Sequence, residues 1–345
     1  MSKMLNEIRE QPASLARLLK SQKKNVLQIA EKIKKADPAF ILLVARGSSD
    51  NAATYGKYLF EFENGIPCSL AAPSIFTIYR GKPDMSRGVA IGVSQSGEGT
   101  DINQVLSVCR DAGAYTIGIT NTENSAITKV ADDTIFLNAG LEKGLAATKT
   151  YTGQLVAFMM LSSAMSGNKK FADDISRIPS DMKSMLDVED SVSELSERYR
   201  YMEHCTVIGR GFNYATAKEA ALKMMETSYV TAQPFSTADF MHGPIAMTGP
   251  GFPAFVTVPS GKMEKQLHAL CGELLEKQLE TIIVSNRKST LKLATKKIEI
   301  PINPGELVSP VFYIVPFQFF ANALSNTRGI DPDNPRFLKK VTRTI

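Results

Sequence analysis

The sequence contains an internal repeat, in which short apolar segments that end in small or polar residues recur at one spacing. The matched segments are residues 40–47 with 206–211, 89–97 with 254–261, and 116–121 with 281–286. Their last residues lie 164 positions apart in the first two pairs and 165 in the third. Apolar runs occur in any chain that alternates helices and strands, but three matched ends at nearly one spacing favour a duplicated fold.

Each segment is short, rich in Val and Ile and mostly apolar, which is typical of parallel strands covered by helices on both faces. Between them lie amphipathic stretches, for example at residues 101–112 and 148–165. Strands that alternate with helices in this way form βαβ units. The sequence therefore predicts an α/β fold with two doubly wound parallel-sheet lobes related by the internal repeat.

The same patterns predict the order of domains along the chain. Residues 1–35 carry apolar side chains at helical spacing and are expected to form an N-terminal helical segment. We place the first lobe at 36–167, a charged and mostly helical connector at 168–200, the second lobe at 201–330, and a basic C-terminal tail at 331–345.

Composition and charge argue against several classes of protein. The net charge of +5 is too small to indicate nucleic acid or an anionic membrane as a partner. The four cysteines lie far apart without a C-x-x-C pair and there are three histidines, so we expect neither disulfides nor a structural zinc site. The N-terminus lacks an apolar signal segment, and prolines interrupt the apolar stretch at 308–324, which reads as a core segment. We therefore predict a cytoplasmic protein that does not enter the membrane.

Three loops predicted to follow strands of the first lobe are rich in hydroxyl side chains and glycine: residues 46–50, 94–100 and 144–149. At the start of a helix, free backbone N–H groups and the helix dipole favour a phosphate. Serine and glycine are also ordinary turn and N-cap residues, but three such loops together favour an anion site. Because the sequence has neither G-x-G-x-x-G nor a P-loop motif, we expect a small phosphorylated metabolite as the ligand.

In the second lobe, charged residues interrupt an otherwise apolar helix. Glu219, Lys223 and Glu226 share one face of the helix predicted over residues 219–226. This spacing is typical of a solvent-exposed salt-bridge stripe, but the apolar neighbours make a face turned toward a functional cleft an equally good interpretation. Residues 211–213 and 259–261 replace the serine-rich loops of the first lobe, so we expect one phosphate site per chain.

Among the three histidines, His242 is the candidate for a functional role. It precedes Gly-Pro in a predicted loop over residues 239–244, whereas His204 begins a predicted strand and His268 lies in a predicted amphipathic helix. A single loop histidine is more often incidental than functional, so the residue types alone leave its role open.

Seven motifs in chain order resemble the isomerase part of glutamine:fructose-6-phosphate amidotransferase and the related deaminases and deglycases with two sugar-isomerase (SIS) domains. They lie at residues 7–12, 94–98, 139–144, 147–154, 219–223, 242–244 and 333–336. The resemblance covers nearly the whole chain and is specific to the family rather than to one member. It implies two SIS lobes and an enzyme of sugar phosphates that needs no metal and no other cofactor.

The resemblance also implies roles for individual residues. Glu226 matches the glutamate that moves a proton between C1 and C2 of the sugar, and Lys223 matches a lysine that lines the site. His242 matches the histidine that opens the sugar ring, which in the family comes from the other subunit of a homodimer. Lys340 matches the tail lysine that forms a Schiff base with an open-chain ketose. The sugar phosphate would be bound by Ser48, Ser49, Ser94, Gln95, Ser96, Thr100, Leu145 and Ala147.

The synthase of this family begins with a glutaminase domain whose nucleophile is an N-terminal cysteine, whereas residue 2 here is Ser2. We therefore expect no hydrolysis of glutamine, and we expect conversion of glucosamine 6-phosphate, or a close hexosamine 6-phosphate, to fructose 6-phosphate and ammonia. The alternatives are a fructosamine-6-phosphate deglycase, a glutamine-independent synthase or isomerase, and a non-catalytic sugar-phosphate sensor. The expected partners are a phosphorylated sugar or aminosugar and a second copy of the chain that shares its active sites.

Overall fold

A computed structural model of the protein describes residues 1–338 and Lys340, which form two compact units. The first lobe consists of Ala13–Glu142, Lys149–Ser176 and Lys340. The second lobe consists of Met1–Pro12, Lys143–Thr148 and Arg177–Leu338. The limits set out above for the domains, the connector and the tail stay predictions, and residues 339 and 341–345 of that tail lie outside the described residues.

One parallel sheet organises the first lobe. Up to Ser166 the elements are α1 (Lys3–Arg9), α2 (Gln11–Ala36), β1 (Phe40–Val44), α3 (Ser48–Glu63), β2 (Cys68–Leu70), α4 (Pro73–Thr77), β3 (Gly88–Val93), α5 (Thr100–Asp111), β4 (Tyr115–Thr120), α6 (Ala126–Val130), β5 (Asp133–Phe136) and α7 (Lys149–Ser166). The strands pair in the order β2-β1-β3-β4-β5, and each neighbouring pair is parallel.

A second parallel sheet organises the second lobe. The remaining elements are α8 (Lys169–Met185), α9 (Glu189–Glu197), β6 (His204–Gly209), α10 (Tyr214–Ser228), β7 (Thr231–Ser236), α11 (Thr237–Met241), β8 (Pro253–Val258), α12 (Glu264–Glu276), β9 (Glu280–Ser285), α13 (Lys288–Leu291), β10 (Lys296–Glu299), α14 (Ser309–Tyr313) and α15 (Val315–Thr327). Short 3₁₀ turns occupy Leu186–Val188, Gly211–Asn213 and Pro244–Met247. The strands pair in the order β10-β9-β8-β6-β7, again all parallel.

The two sheets have the same topology, which confirms the α/β class and the duplicated fold. From its other edge the second sheet runs β7-β6-β8-β9-β10, so that β6 takes the place of β1 and β8 that of β3. The repeat ends correspond as well, because Gly47 follows β1, Gly211 follows the corresponding strand β6, and both glycines have a positive φ. A glycine there allows the sharp turn from strand to helix that each lobe requires.

The cores lie where helices cover these strands. All six residues of β3 are buried, as are the last five of β8. In the first lobe Val44 and Ala90 pack with Leu106 of α5 in one apolar cluster. Fully apolar strands are stable only when both faces are covered, which is why the run of Val and Ile predicted this arrangement.

One of the two stretches predicted to be amphipathic forms a helix that is buried on all sides. The stretch at 101–112 corresponds to the amphipathic α5, but the stretch at 148–165 corresponds to α7, which is buried on all sides over Lys149–Ser163. Phe158 of α7 meets Phe60 of α3 edge to face, with ring centroids 5.9 Å apart. Because α7 is apolar around most of its circumference, it packs in the interior rather than on a solvent-facing side.

The apolar stretch at 308–324 is a core segment, as predicted. It forms α14 and most of α15, and residues such as Phe312, Phe317 and Phe320 have no solvent exposure. Across residues 1–338 and Lys340, no helix is both long enough and apolar enough to span a membrane.

Candidate active site

The first of the serine-rich loops follows β1. Gly47, at φ 57°, precedes α3, and the first two residues of that helix are Ser48 and Ser49. Ser48 is half-buried, and the buried Ser49 accepts a hydrogen bond from Gln154 Nε2 at 2.9 Å through its Oγ. The N-terminus of α3 therefore carries two hydroxyl groups at the carboxyl edge of the sheet.

The second loop follows β3, the strand next to β1. Its turn is held by Ser94, whose Oγ accepts from the backbone N–H of Gly97 at 3.1 Å, while Ser96 Oγ accepts from the N–H of Glu98 at 3.2 Å. Gly97 has φ 70°, and a Cβ there would lie 2.1 Å from Ser125 Oγ, so only glycine fits. The loop ends at Thr100, the exposed first residue of α5.

These two loops place six of the predicted phosphate-binding residues after neighbouring strands. They are Ser48, Ser49, Ser94, Gln95, Ser96 and Thr100. Both loops lead into the N-terminus of a helix longer than ten residues, where the helix dipole favours an anion. The arrangement is chemically suited to a phosphate group.

The third loop belongs to the second lobe over Lys143–Thr148, and it contains Leu145 and Ala147, both half-buried. The carboxylate of Glu7 in α1 anchors this loop by accepting hydrogen bonds from the backbone N–H groups of Lys143 and Gly144. A Cβ on Gly144 would lie 2.7 Å from Glu7 Oε2, so glycine permits this close approach. Glu7 had no predicted role of its own, because its partners lie 136 and 137 positions further along the chain.

In α10 the charged face is buried, so its interpretation as a solvent-exposed salt-bridge stripe was wrong. The side chains of Glu219 and Lys223 have 0% exposure and that of Glu226 has 22%. Lys223 Nζ lies 3.3 Å from Glu219 Oε1 and 2.5 Å from Glu226 Oε2. One buried ammonium thus links two carboxylates, and only Glu226 reaches solvent.

Burial and the two carboxylates act in opposite directions on the pKa of Lys223. Burial alone would lower the pKa, because it disfavours the charged form, but Glu219 and Glu226 raise it further and the result is a pKa above the ordinary value of 10.5. Lys223 is therefore an ammonium at neutral pH.

The C-terminal end of α10 is fixed by contacts from α15 with its C-cap residue and from the chain that follows. Tyr229 ends the helix at φ 56°, and Arg328 Nη1 donates to the Ser228 carbonyl at 2.7 Å. Ser228 Oγ in turn donates to the Ala321 carbonyl at 3.1 Å. The guanidinium of Arg336 lies 4.2 Å from the centre of the Tyr229 ring, and the Arg336 backbone N–H donates to Tyr229 Oη at 2.8 Å. The helix that carries Glu226 is therefore held firmly within the second lobe.

His242 is exposed and directly follows a short helix. The predicted loop at 239–244 is wrong over Asp239–Met241, which belongs to α11, whereas His242 caps that helix through its backbone N–H. Gly243, at φ 132°, then turns the chain. His204 and His268 lie in β6 and α12, as predicted.

Lys340 lies in the first lobe beside an acidic residue that the sequence analysis missed. Its Nζ is 3.3 Å from Oε2 of Glu142, whose side chain has no solvent exposure. The same oxygen accepts a hydrogen bond from Thr150 Oγ1 at 2.6 Å. Glu142 lies within a motif of the resemblance, but a buried carboxylate in a loop has no local sequence signal.

A second ion pair that was not predicted connects the two serine-rich loops that follow β1 and β3. Arg46 Nε lies 2.7 Å from Oδ2 of Asp101, the second residue of α5.

The described part of the chain contains no group of three or more His, Cys, Asp or Glu residues placed to hold a metal ion. The cysteines in that part are all buried as free thiols, and burial raises the pKa of Cys271 to about 12.

Comparison with known proteins identifies relatives over nearly the full chain. The family model of the SIS domain matches residues 33–164 and 200–327. Glutamine–fructose-6-phosphate aminotransferase (isomerizing) of Aquifex aeolicus is 33% identical over 340 residues, which are 98% of this chain and 57% of the relative. The chain thus spans a little more than half the length of this relative.

Two solved structures share the fold. Glucosamine-6-phosphate deaminase from Thermotoga maritima matches with a TM-score of 0.80 and 25% identity, covering 99% of this chain and 100% of the other. The C-terminal domain of glucosamine-fructose-6-phosphate aminotransferase from Francisella tularensis matches with a TM-score of 0.85 and 23% identity, over 97% and 98% of the two chains. At that identity the second match shows the fold alone.

Proposed function

The chain belongs to the SIS domain family, and on this premise we propose that it is an isomerising deaminase of an aminosugar 6-phosphate. The proposed reaction converts glucosamine 6-phosphate, or a close hexosamine 6-phosphate, and water to fructose 6-phosphate and ammonia. The observation that carries the proposal is the buried Glu219–Lys223–Glu226 cluster, in which Glu226 alone is partly exposed.

Aldose–ketose conversion requires one base that carries a proton between adjacent carbons. Glu226 is suited to that role because its partly exposed carboxylate is oriented by a hydrogen bond from the fixed ammonium of Lys223. The second carboxylate, Glu219, helps to keep that ammonium charged and in place. The cluster therefore supplies one oriented base, with the remaining charges confined to the interior.

The proposed reaction has three steps: ring opening, proton transfer from C2 to C1, and hydrolysis of an imine. His242 moves the proton between the C1 hydroxyl and the ring oxygen, so that the ring C1–O bond breaks and the open-chain aldehyde forms. Glu226 removes the proton from C2 as the C1 carbonyl oxygen takes up a proton from solvent, which gives an enolamine with a hydroxyl at C1. Glu226 then returns its proton to C1 as the amino nitrogen releases one to solvent, which leaves CH2OH at C1 and an imine at C2. Water adds to that imine and ammonia departs, giving fructose 6-phosphate. Lys340 could take the place of water by forming a Schiff base that is hydrolysed afterwards.

His242 is exposed, so within this proposal it is available to a second copy of the chain. We include a homodimer in the proposal, in which each site takes Glu226 from one subunit and His242 from the other. The residues at the N-termini of α3 and α5 would hold the 6-phosphate, with Leu145 and Ala147 lining the site.

A second candidate is the reverse use of the same chemistry, the synthesis of glucosamine 6-phosphate from fructose 6-phosphate and ammonia. It is favoured by the 33% identity to an isomerizing aminotransferase over 98% of this chain. The residues in the proposed roles are the same in both candidates. The two differ in the direction of the reaction, which releases ammonia in the first and consumes it in the second.

The test is to incubate the purified 345-residue chain with glucosamine 6-phosphate, without glutamine, and to measure ammonia and fructose 6-phosphate separately. Release of both in equal amounts supports the deaminase. Formation of glucosamine 6-phosphate from fructose 6-phosphate and ammonia, with no measurable deamination, supports the second candidate. If fructose 6-phosphate binds but neither reaction occurs, the deaminase proposal fails, and fructosamine 6-phosphates become the next substrates to test.

A further inference from the structure

The serine-rich loops that follow β1 and β3 carry an excess of negative charge. Residues 46–50 and 94–101 contain three carboxylates, Asp50, Glu98 and Asp101, and one cation, Arg46. A sugar phosphate that binds there brings up to two further negative charges. Helix N-termini offset about half a charge each, which is less than the dianion and the carboxylates together require.

Arg46 is the first residue of the loop after β1, and Asp101 holds its side chain in a defined position. It comes directly before Gly47 and Ser48, and its Nε donates to Oδ2 of Asp101 at 2.7 Å. Asp101 is 2% exposed and follows Thr100, so it forms a rigid anchor at the start of α5. The arginine side chain is 52% exposed, and among residues 1–338 and Lys340 its terminal guanidinium nitrogens have no other hydrogen-bond partner.

We propose that Arg46 binds the phosphate group of the substrate and thereby selects a phosphorylated sugar over an unphosphorylated one. This inference rests on the proposed function and adds a residue that the resemblance does not assign. A guanidinium fixed through Nε presents its remaining N–H groups as a fork, which matches the oxygens of a phosphate. Asp101 orients that fork and is a positioning residue, since it contacts Arg46 rather than the ligand.

A simpler role for Arg46 is to neutralise Asp101, without contact to phosphate. The two roles make different predictions for a chain that lacks both charges. If Arg46 only offsets Asp101, removing both residues' charges restores binding. If Arg46 supplies attraction to the phosphate, binding stays weak in the double variant.

The experiment measures the dissociation constants of fructose 6-phosphate and inorganic phosphate by calorimetry, which requires no turnover. The variants are Arg46→Ala, Arg46→Lys and the double variant Arg46→Ala with Asp101→Asn. The double variant avoids an unpaired buried carboxylate and so keeps the test independent of a folding defect. Arg110→Ala is the matched control, because Arg110 is exposed at the other end of α5 and bonds the Val130 carbonyl.

We expect Arg46→Ala and the double variant to weaken both ligands by at least about tenfold, as for the loss of a hydrogen bond to a charged group. The affinity of Arg46→Lys for both ligands should lie between the affinities of these two variants and that of the wild-type chain. Arg110→Ala should bind both ligands as tightly as the wild type does. Wild-type affinity in the double variant would overturn the proposal while leaving the proposed function intact. No binding of fructose 6-phosphate by the wild-type chain would overturn both.

Discussion

The ammonium of Lys223 lies 2.5 Å from the carboxylate of Glu226, and it makes this contact from a position without solvent exposure. On its other side Glu219 is 3.3 Å away and equally buried. Two carboxylates and one ammonium leave a net negative charge on the cluster, and Glu226 is its one member in contact with solvent. The buried ion pairs therefore fix a carboxylate that remains open to a ligand.

Lys223→Met should destabilise the protein by about 3–5 kcal/mol, because it leaves buried carboxylates without their cation. The measurement is urea unfolding of the variant and of Lys265→Met, a substitution at an exposed position of α12. The control should change the free energy of unfolding by less than about 0.5 kcal/mol. Equal effects of the two substitutions would show that the cluster does not stabilise the fold.

The stabilisation by Lys223 should depend on pH on the alkaline side. Its pKa in the folded chain lies above the ordinary 10.5, so its contribution is fully present below pH 10.5 and decreases as the pH rises through the folded pKa. The difference in unfolding free energy between the wild type and Lys223→Met should therefore be smaller at about pH 11 than at about pH 8. A difference that grows over this interval would contradict the raised pKa.

Glu226→Gln should abolish turnover and leave the binding of fructose 6-phosphate nearly unchanged, since a carboxamide cannot carry the proton between C1 and C2. Turnover is measured by ammonia release and binding by calorimetry. Glu273→Gln, at an exposed position of α12, is the matched control and should retain full activity. Loss of binding with turnover retained would refute the role given to Glu226.

Mixing two inactive variants should restore activity if the active sites are shared between subunits. Equal amounts of Glu226→Gln and His242→Asn, unfolded and refolded together, should regain about a quarter of the wild-type rate, because half of the dimers are mixed and each has one intact site. Each variant refolded alone is the control. Full activity of a wild-type chain that sedimentation shows to be a monomer would rule out the shared site.

The contact between Tyr229 and Arg336 should hold the segment that leads to Lys340. Tyr229→Leu removes both the ring under the guanidinium and the hydroxyl that accepts from the Arg336 N–H, whereas Tyr229→Phe keeps the ring. We expect faster amide exchange over residues 334–338 in Tyr229→Leu, by about fivefold or more as for a lost cation–π contact, and a smaller change in Tyr229→Phe. Tyr201→Leu, at a residue 87% exposed, serves as the control.

The fold could be predicted from the sequence because its signals are local. Continuous Val and Ile runs such as residues 89–93 fit only strands covered on both faces, and the spacing of 164 residues revealed the duplication. The i, i+4, i+7 spacing likewise placed Glu219, Lys223 and Glu226 on one helix face, which the structure confirms. The prediction that α7 is amphipathic was wrong, because a local hydropathy pattern does not specify how many sides of a helix its neighbours cover.

The sequence thus specified the strands, the turns at Gly47 and Gly97 and the face of α10. Burial of Lys223, the anchoring of Arg46 by Asp101 and the pairing of Lys340 with Glu142 arise only in the folded chain. The physical reason is range: helix and strand patterns reflect neighbours within a few residues, whereas Arg46 and Asp101 lie 55 positions apart and Lys340 and Glu142 lie 198 apart. Solvent exclusion and contacts between such distant residues are properties of tertiary packing, and the chemistry of the charged groups depends on them.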